Sequence, residues 1–301
     1  VDEVVSTSHL SNTTSLDPFT SNTSCALTPE IEQGPYYVQG EYIRSDMSED
    51  QPGVPTYVDI ELIDVSTCEP LTGVYAGIVA EGNGDATDAS NLNTTFLCGI
   101  QQINDEGYAQ FETIFPGHYA ARTTHFHMIV HADGMVYGNG TFKSDGQQHV
   151  GQVFFDQDLI NAVEATSPYS MNAIAITNYE DDCLFVAGVV PNSGTGVDPI
   201  LEYVYLGDDL SGGLLLWGTV GVDLSAGYES SPGSYLTEMG VIKNTNQNAA
   251  VVFNGAPPIS NDTDTGLGGG GNSIITVTDG GSSTDTDSNS MIQLLCTCSS
   301  A

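Results

Sequence analysis

The sequence predicts an all-β protein, a β-sandwich with long irregular loops. Three observations predict it. "TYVDIELIDV" (56–65) alternates polar and apolar residues over ten positions, the period of a half-buried strand. Short apolar runs recur through residues 30–190, parted by Gly, Asp, Asn and Pro. Helical periodicity is sparse.

Taken in order, residues 1–29 are rich in Ser, Thr and Asn without periodicity and read as an extended N-terminal arm. A sandwich domain with a C-terminal extension spans 30–254. Beyond "TYVDIELIDV", its expected strands are "YAQFETI" (108–114), "HFHMIVHA" (125–132), "GQVFFDQ" (151–157) and "CLFVAGVV" (183–190). "NDEG" (104–107) reads as the turn before the first of these, and "DLINAVEA" (158–165) as a short helix. Apolar segments continue over 198–243, including "GGLLLWGTVGVDL" with the single tryptophan, Trp217. From 255 to 301 the chain is a Gly/Ser/Thr/Asp-rich tail, too polar to bury a core. Within it "IITVT" (274–278) is an edge-strand candidate. No internal repeat is present.

Only 4 Lys and Arg stand against 39 Asp and Glu, for a net charge of −35. Neutralising phosphates takes cations, so nucleic acid and anionic membrane surfaces are poor partners. Self-repulsion weakens as carboxylates protonate, so an acidic medium suits the chain. No run of about 20 apolar residues offers a membrane span. No charged-then-apolar leader opens the chain, so a secretory signal is expected to have been removed already. Five N-x-S/T sequons, at Asn12, Asn22, Asn93, Asn139 and Asn261, together with six cysteines favour a secreted, disulfide-bonded glycoprotein. Cys296 and Cys298 lack a second ligand pair for zinc, and six cysteines allow fifteen pairings.

The chemistry gathers in "PGHYAARTTHFHMIVH" (116–131), which holds four of the six histidines. On a strand, alternate side chains share a face, so His125 and His127 point together. Such a pair is a metal-binding geometry; the bland alternative is two half-buried histidines. His118 reads as structural, His131 as surface or as support behind the site, and His9 and His149 have no constellation around them. Tyr119 changes the balance. A phenolate is a hard anionic ligand suited to Fe³⁺, and two imidazoles complete a mixed N/O site that iron accepts. Arg122 stays charged at any working pH and can steady an anionic substrate. A zinc hydrolase lacks its H-E-x-x-H pattern here, and no D-x-D-x-D-G loop marks calcium.

"GPYYVQGEYIRSD" (34–46), "DVSTCEPL" (64–71), "DEGYAQFETIFPGHYAARTTHFHMIVH" (105–131) and "GQVFFDQD" (151–158) resemble the intradiol ring-cleavage dioxygenases. The resemblance is nearest to their secreted fungal branch; "YVYLGDDLSGGLLLWGTVGVD" (203–223) resembles the tail of that branch. It covers roughly residues 25–250. It implies a β-sandwich and a non-haem Fe(III) held by two tyrosines and two histidines. The implied reaction uses O₂ to open a small aromatic diol between its two hydroxyl-bearing carbons. By position, Tyr119, His125 and His127 match iron ligands, Arg122 and Gln152 match catalytic positions, and Tyr36 and Tyr37 match the substrate pocket.

The fourth ligand has two readings, of which the first is expected. "GVYAG" (73–77) resembles the ligand turn, which makes Tyr75 the second tyrosinate. Alternatively "TGVYAGIVA" (72–80) serves as a core strand, Tyr75 packs within the sandwich, and iron keeps three protein ligands. Cys98 stands where the family carries arginine and is free to pair with Cys68. Two functions follow: a secreted iron dioxygenase, or a non-catalytic secreted glycoprotein that keeps the fold for a structural or assembly role. A homo-oligomer or larger assembly through arm and tail is left open.

Overall fold

The computed structural model describes residues 8–12, 19, 25–28, 37–79, 94–144, 148–182, 184–186, 198–225, 232, 234–237, 240–243, 251–253 and 273–275. Alternation sets its strands. In Pro55–Asp64 (β1), Thr56, Val58, Ile60 and Leu62 are fully buried on one face, whereas Tyr57 and Glu61 on the other are partly exposed. Tyr75–Val79 (β2), Cys98–Gln102 (β3), Tyr108–Ile114 (β4), His125–His131 (β5) and Gln148–Phe155 (β6) follow. Then come the helix Gln157–Glu164 (α1) and the strands Ile200–Tyr205 (β7) and Leu214–Val222 (β8).

These strands and the short Glu69–Pro70 make one nine-stranded sheet. Its path runs β1, β8, β7, β6, β5, β2, β3, with β4 and Glu69–Pro70 on the free side of β1. The β1–β8 and β6–β7 pairs are parallel and the others antiparallel. Far apart on that path, β3 and β4 nevertheless meet: the Gln101 amide donates to the Gln110 carbonyl. Segment 42–47 bridges both strands through Arg44 N–H to the Ile100 carbonyl at 3.0 Å and Met47 N–H to the Glu112 carbonyl at 2.8 Å. The sheet therefore curls over on itself, as the expected sandwich requires. Phe111, Phe115, Phe126 and Phe155 fill the space it encloses.

Strand β5 positions the chemistry because it is buried on both faces. Phe126, Met128 and Val130 enter the aromatic core. His125, His127, Ile129 and His131 form the other face, opposite Phe154, Gln152, Val150 and Gln148 of β6. Gly77 of β2 lies on that face, where an added Cβ would stand 3.1 Å from Ile100 and 3.3 Å from Ile129.

Most expected elements stand within two or three residues of their predicted bounds. The exception among the described residues is "CLFVAGVV". Leu184, Phe185 and Val186 take helical backbone, because the Asp182 carboxylate accepts from the N–H groups of Leu184 at 2.9 Å and Phe185 at 3.2 Å. A capping carboxylate overrides the β propensity of the apolar run. The N-terminal arm packs on the sheet where it is described. Leu10 bridges Tyr203 of β7 in parallel, Thr28 N–H donates to the Gly221 carbonyl, and Cys25 is disulfide-bonded to Cys68. That bond takes the partner expected for Cys98, which is a free thiol; Cys183, Cys296 and Cys298 lie outside the described residues. So does the tail, apart from the pairing of Ser273–Ile275 with Val251–Phe253.

Candidate metal centre

The turn before β5 and the first residues of β5 build the site. Ala121 sits at φ 65°, a left-handed conformation that costs an L-residue about 1–2 kcal/mol. This reversal sets Tyr119 and Arg122 back beside the start of the strand. His125 and His127 share a face, and their Nε2 atoms stand 3.1 Å apart. The Tyr119 hydroxyl lies 3.4 Å from His125 Nε2. Tyr119 is half-buried; both histidines are buried.

The imidazoles are held in their neutral form. Burial pushes His125 well below the ordinary histidine range, with the Arg122 charge and His127 acting in the same direction. Burial, then Arg122, takes His127 down to about 3. The Thr123 carbonyl can only accept, so the 2.6 Å contact places a proton on His125 Nδ1 and leaves Nε2 its lone pair. Two donors each about 2.1 Å from a common ion and at right angles to each other stand about 3 Å apart. The spacing of the two nitrogens and the phenol oxygen fits one ion. The donor chemistry, one phenol oxygen and two imidazoles, fits a hard, oxidised first-row metal such as Fe(III). Among the described residues, no group of three or more His, Cys, Asp or Glu side chains offers another such cluster.

Arg122 ties the site together. It is 3 % exposed. Its Nη1 donates to the Tyr119 hydroxyl at 3.4 Å, and its Nη2 donates to Gln152 Oε1. Gln152 faces His127 across the β5–β6 pair, its Nε2 3.5 Å from His127 Nδ1.

Solved structures are similar in fold. An intradiol ring-cleavage dioxygenase from Tetranychus urticae is 29% identical over 66% of this chain and 95% of its own, with a TM-score of 0.54. A second dioxygenase crystal structure is 27% identical over 66% and 95%, with a TM-score of 0.51. By these two structures the chain is similar in fold to intradiol ring-cleavage dioxygenases. No family model and no curated protein matches it.

Two expectations need correction. Tyr75 does not join the cluster. It begins β2 opposite His131, while Val79 is the residue opposite His127. Those four residues span ~13 Å at about 3.3 Å per residue. The Tyr75 ring packs 4.6 Å from Phe142 instead. The cause is pairing: residues 75–79 bond to β5 on one side and β3 on the other, which makes them a central strand. Tyr37 is likewise away from the donors, 5 % exposed with its ring 5.7 Å from that of His131. Tyr36 lies outside the described residues.

The remaining histidines sort by partner. His118 is structural, as expected: its Nδ1 is 2.7 Å from Glu164 Oε1 and its Nε2 2.8 Å from the Ile174 carbonyl. His131 is fully buried between Tyr37 and Phe142 rather than at the surface. His9, for which no constellation was expected, has Asp198 Oδ2 3.0 Å from Nε2 and Asp156 Oδ2 3.6 Å from Nδ1. Sequence reasoning missed Glu164, Asp182 and Asp198 as partners, because no periodic spacing links them to the histidine segment. Of the sequons, Asn12 and Asn139 are exposed; Asn22, Asn93 and Asn261 fall outside the described residues.

Proposed function

We propose that the chain is a secreted Fe(III)-dependent dioxygenase that opens catechol-type rings between their hydroxyl-bearing carbons with O₂. The approach of the Tyr119 hydroxyl at 3.4 Å and His127 Nε2 at 3.1 Å to His125 Nε2 carries this reading. These three residues would hold the ion. Ferric iron, when bound, supplies the Lewis acidity that activates the diol for oxygen insertion.

The chain's own groups do the rest. Arg122 puts a permanent positive charge 3.4 Å from the Tyr119 hydroxyl, which favours the phenolate. The phenolate can accept a proton from the incoming diol at that oxygen. Gln152, oriented by Arg122, backs His127 from β6. The buried surroundings of the histidines strengthen each of these interactions. Secretion is supported by the Cys25–Cys68 disulfide and the exposed sequons at Asn12 and Asn139. Kinship with the secreted fungal branch rests on the sequence motifs.

The displacement of Tyr75 favours a second reading, a secreted glycoprotein that keeps the fold without turnover. Oxygen uptake by iron-loaded protein given catechol decides between them. The dioxygenase reading expects one O₂ consumed per ring opened, with a cis,cis-muconate-type diacid as product. No uptake, or cleavage outside the two hydroxyl-bearing carbons, would overturn it.

A further inference from the structure

One carboxylate outside the donor set reaches all three donors. Asp182 is completely buried and lies 60 residues from Arg122 in sequence. Arg122 Nε donates to its Oδ1 and Oδ2, both at 3.0 Å, and Thr123 N–H donates to Oδ2 at 2.9 Å. Leu184 and Phe185 N–H groups complete the set on Oδ1. Every bond is charge-assisted.

The two clamped groups lead to different donors. Because Nε is engaged by Asp182, the rest of the guanidinium fork is aimed: Nη1 at the Tyr119 hydroxyl and Nη2 at Gln152 Oε1. Gln152 in turn stands beside His127. The Thr123 peptide, fixed through its N–H, presents its carbonyl to His125 Nδ1 at 2.6 Å. Removal of the carboxylate would release the arginine, the carbonyl and the 184–186 turn together.

We propose that Asp182 is the positioning residue of the metal site, fixing Tyr119 and His127 through Arg122 and His125 through the Thr123 carbonyl. This rests on the reading that Tyr119, His125 and His127 bind iron. The Arg122–Asp182 pair is no mere stabilising contact in this account, since both of its partners continue to the donor atoms. Removing a group that orients a metal ligand costs about 10- to 100-fold in metal affinity.

The test compares Asp182→Asn, which nearly keeps the shape, with Asp59→Asn. Asp59 is a buried β1 carboxylate bonded to Gln110 and not to the site. Two readouts are taken on the full chain. The first is ferric iron affinity and the position of the visible absorption band. The second is histidine ¹⁵N NMR of metal-free protein, which reports the His125 tautomer. Expected for Asp182→Asn are an affinity lower by about 10- to 100-fold, a shifted band, and loss of the single Nδ1–H tautomer. Asp59→Asn should change neither readout. An Asp182→Asn protein with wild-type affinity and an unchanged His125 signal would overturn the proposal, as would equal losses in both variants. If wild-type protein takes up no iron but Asp182→Asn still scrambles the His125 tautomer, the positioning role stands and the dioxygenase reading falls.

Discussion

His118, His125 and His127 lie within ten residues of one another yet meet different chemistry. The Nε2 atoms of two stand 3.1 Å apart, and the third is hydrogen-bonded to Glu164 with both side chains nearly inaccessible. His125→Ala and His127→Ala should each remove iron binding, because two protein donors hold an ion poorly. His118→Ala should instead cost stability, about 3–5 kcal/mol, as it leaves Glu164 buried without its partner. Iron per folded molecule and thermal melting separate the two effects; equal iron loss in all three variants would contradict the geometry. The histidine pair was legible because strand alternation is a local rule. Tyr75 was not, because the same GVYAG string suits a turn or a strand. Pairing with two neighbouring strands decided it, and that is a tertiary fact.

Elements with one dominant period were readable, and those decided by a distant side chain were not. β1 and β4 follow their alternation. Residues 184–186 follow the Asp182 carboxylate rather than their own β propensity. The arm was read as extended, but its attachment point was invisible, since His9 finds Asp156 and Asp198 only in the fold. Burial lowers the His9 pKa, but the Asp198 hydrogen bond and the charges of Asp198, Glu202 and Asp156 outweigh it, and the net shift is upward. A raised histidine stabilises the docked arm fully below its unfolded pKa of about 6.5, and the contribution fades as pH rises through the folded value. Limited proteolysis should therefore cut the arm faster at pH 8 than at pH 5. His9→Gln should abolish the difference; an unchanged pH dependence in that variant would assign it elsewhere.

Across the whole molecule, buried ionisable groups oppose one another. Burial pushes the Glu41 carboxyl up to about 8, despite the Val38 N–H and the Arg44 charge. Its contribution is present below the unfolded value and is lost as pH rises from about 4.5 to 8. His131 and His149 are driven down to about 3 and about 4, chiefly by burial, so they cost stability as pH falls below about 6.5. Glu41→Gln should raise the melting temperature more at pH 8 than at pH 5. Both proteins carry nearly the same large negative charge, so its repulsion cancels in that comparison. An equal shift at both values would show that Glu41 is ionised in the fold.

The sheet curls over an aromatic core and buries β5 on both faces, with the proposed ferric site at the start of that strand. The most direct test is metal content and the visible spectrum of protein purified with iron supplied. About one iron per chain is predicted, ferric at rest, with a tyrosinate-to-iron charge-transfer band. Tyr119→Phe should abolish that band and Tyr75→Phe should leave it intact. Colourless protein holding zinc or no metal would contradict the account, as would a band that survives Tyr119→Phe and is lost in Tyr75→Phe.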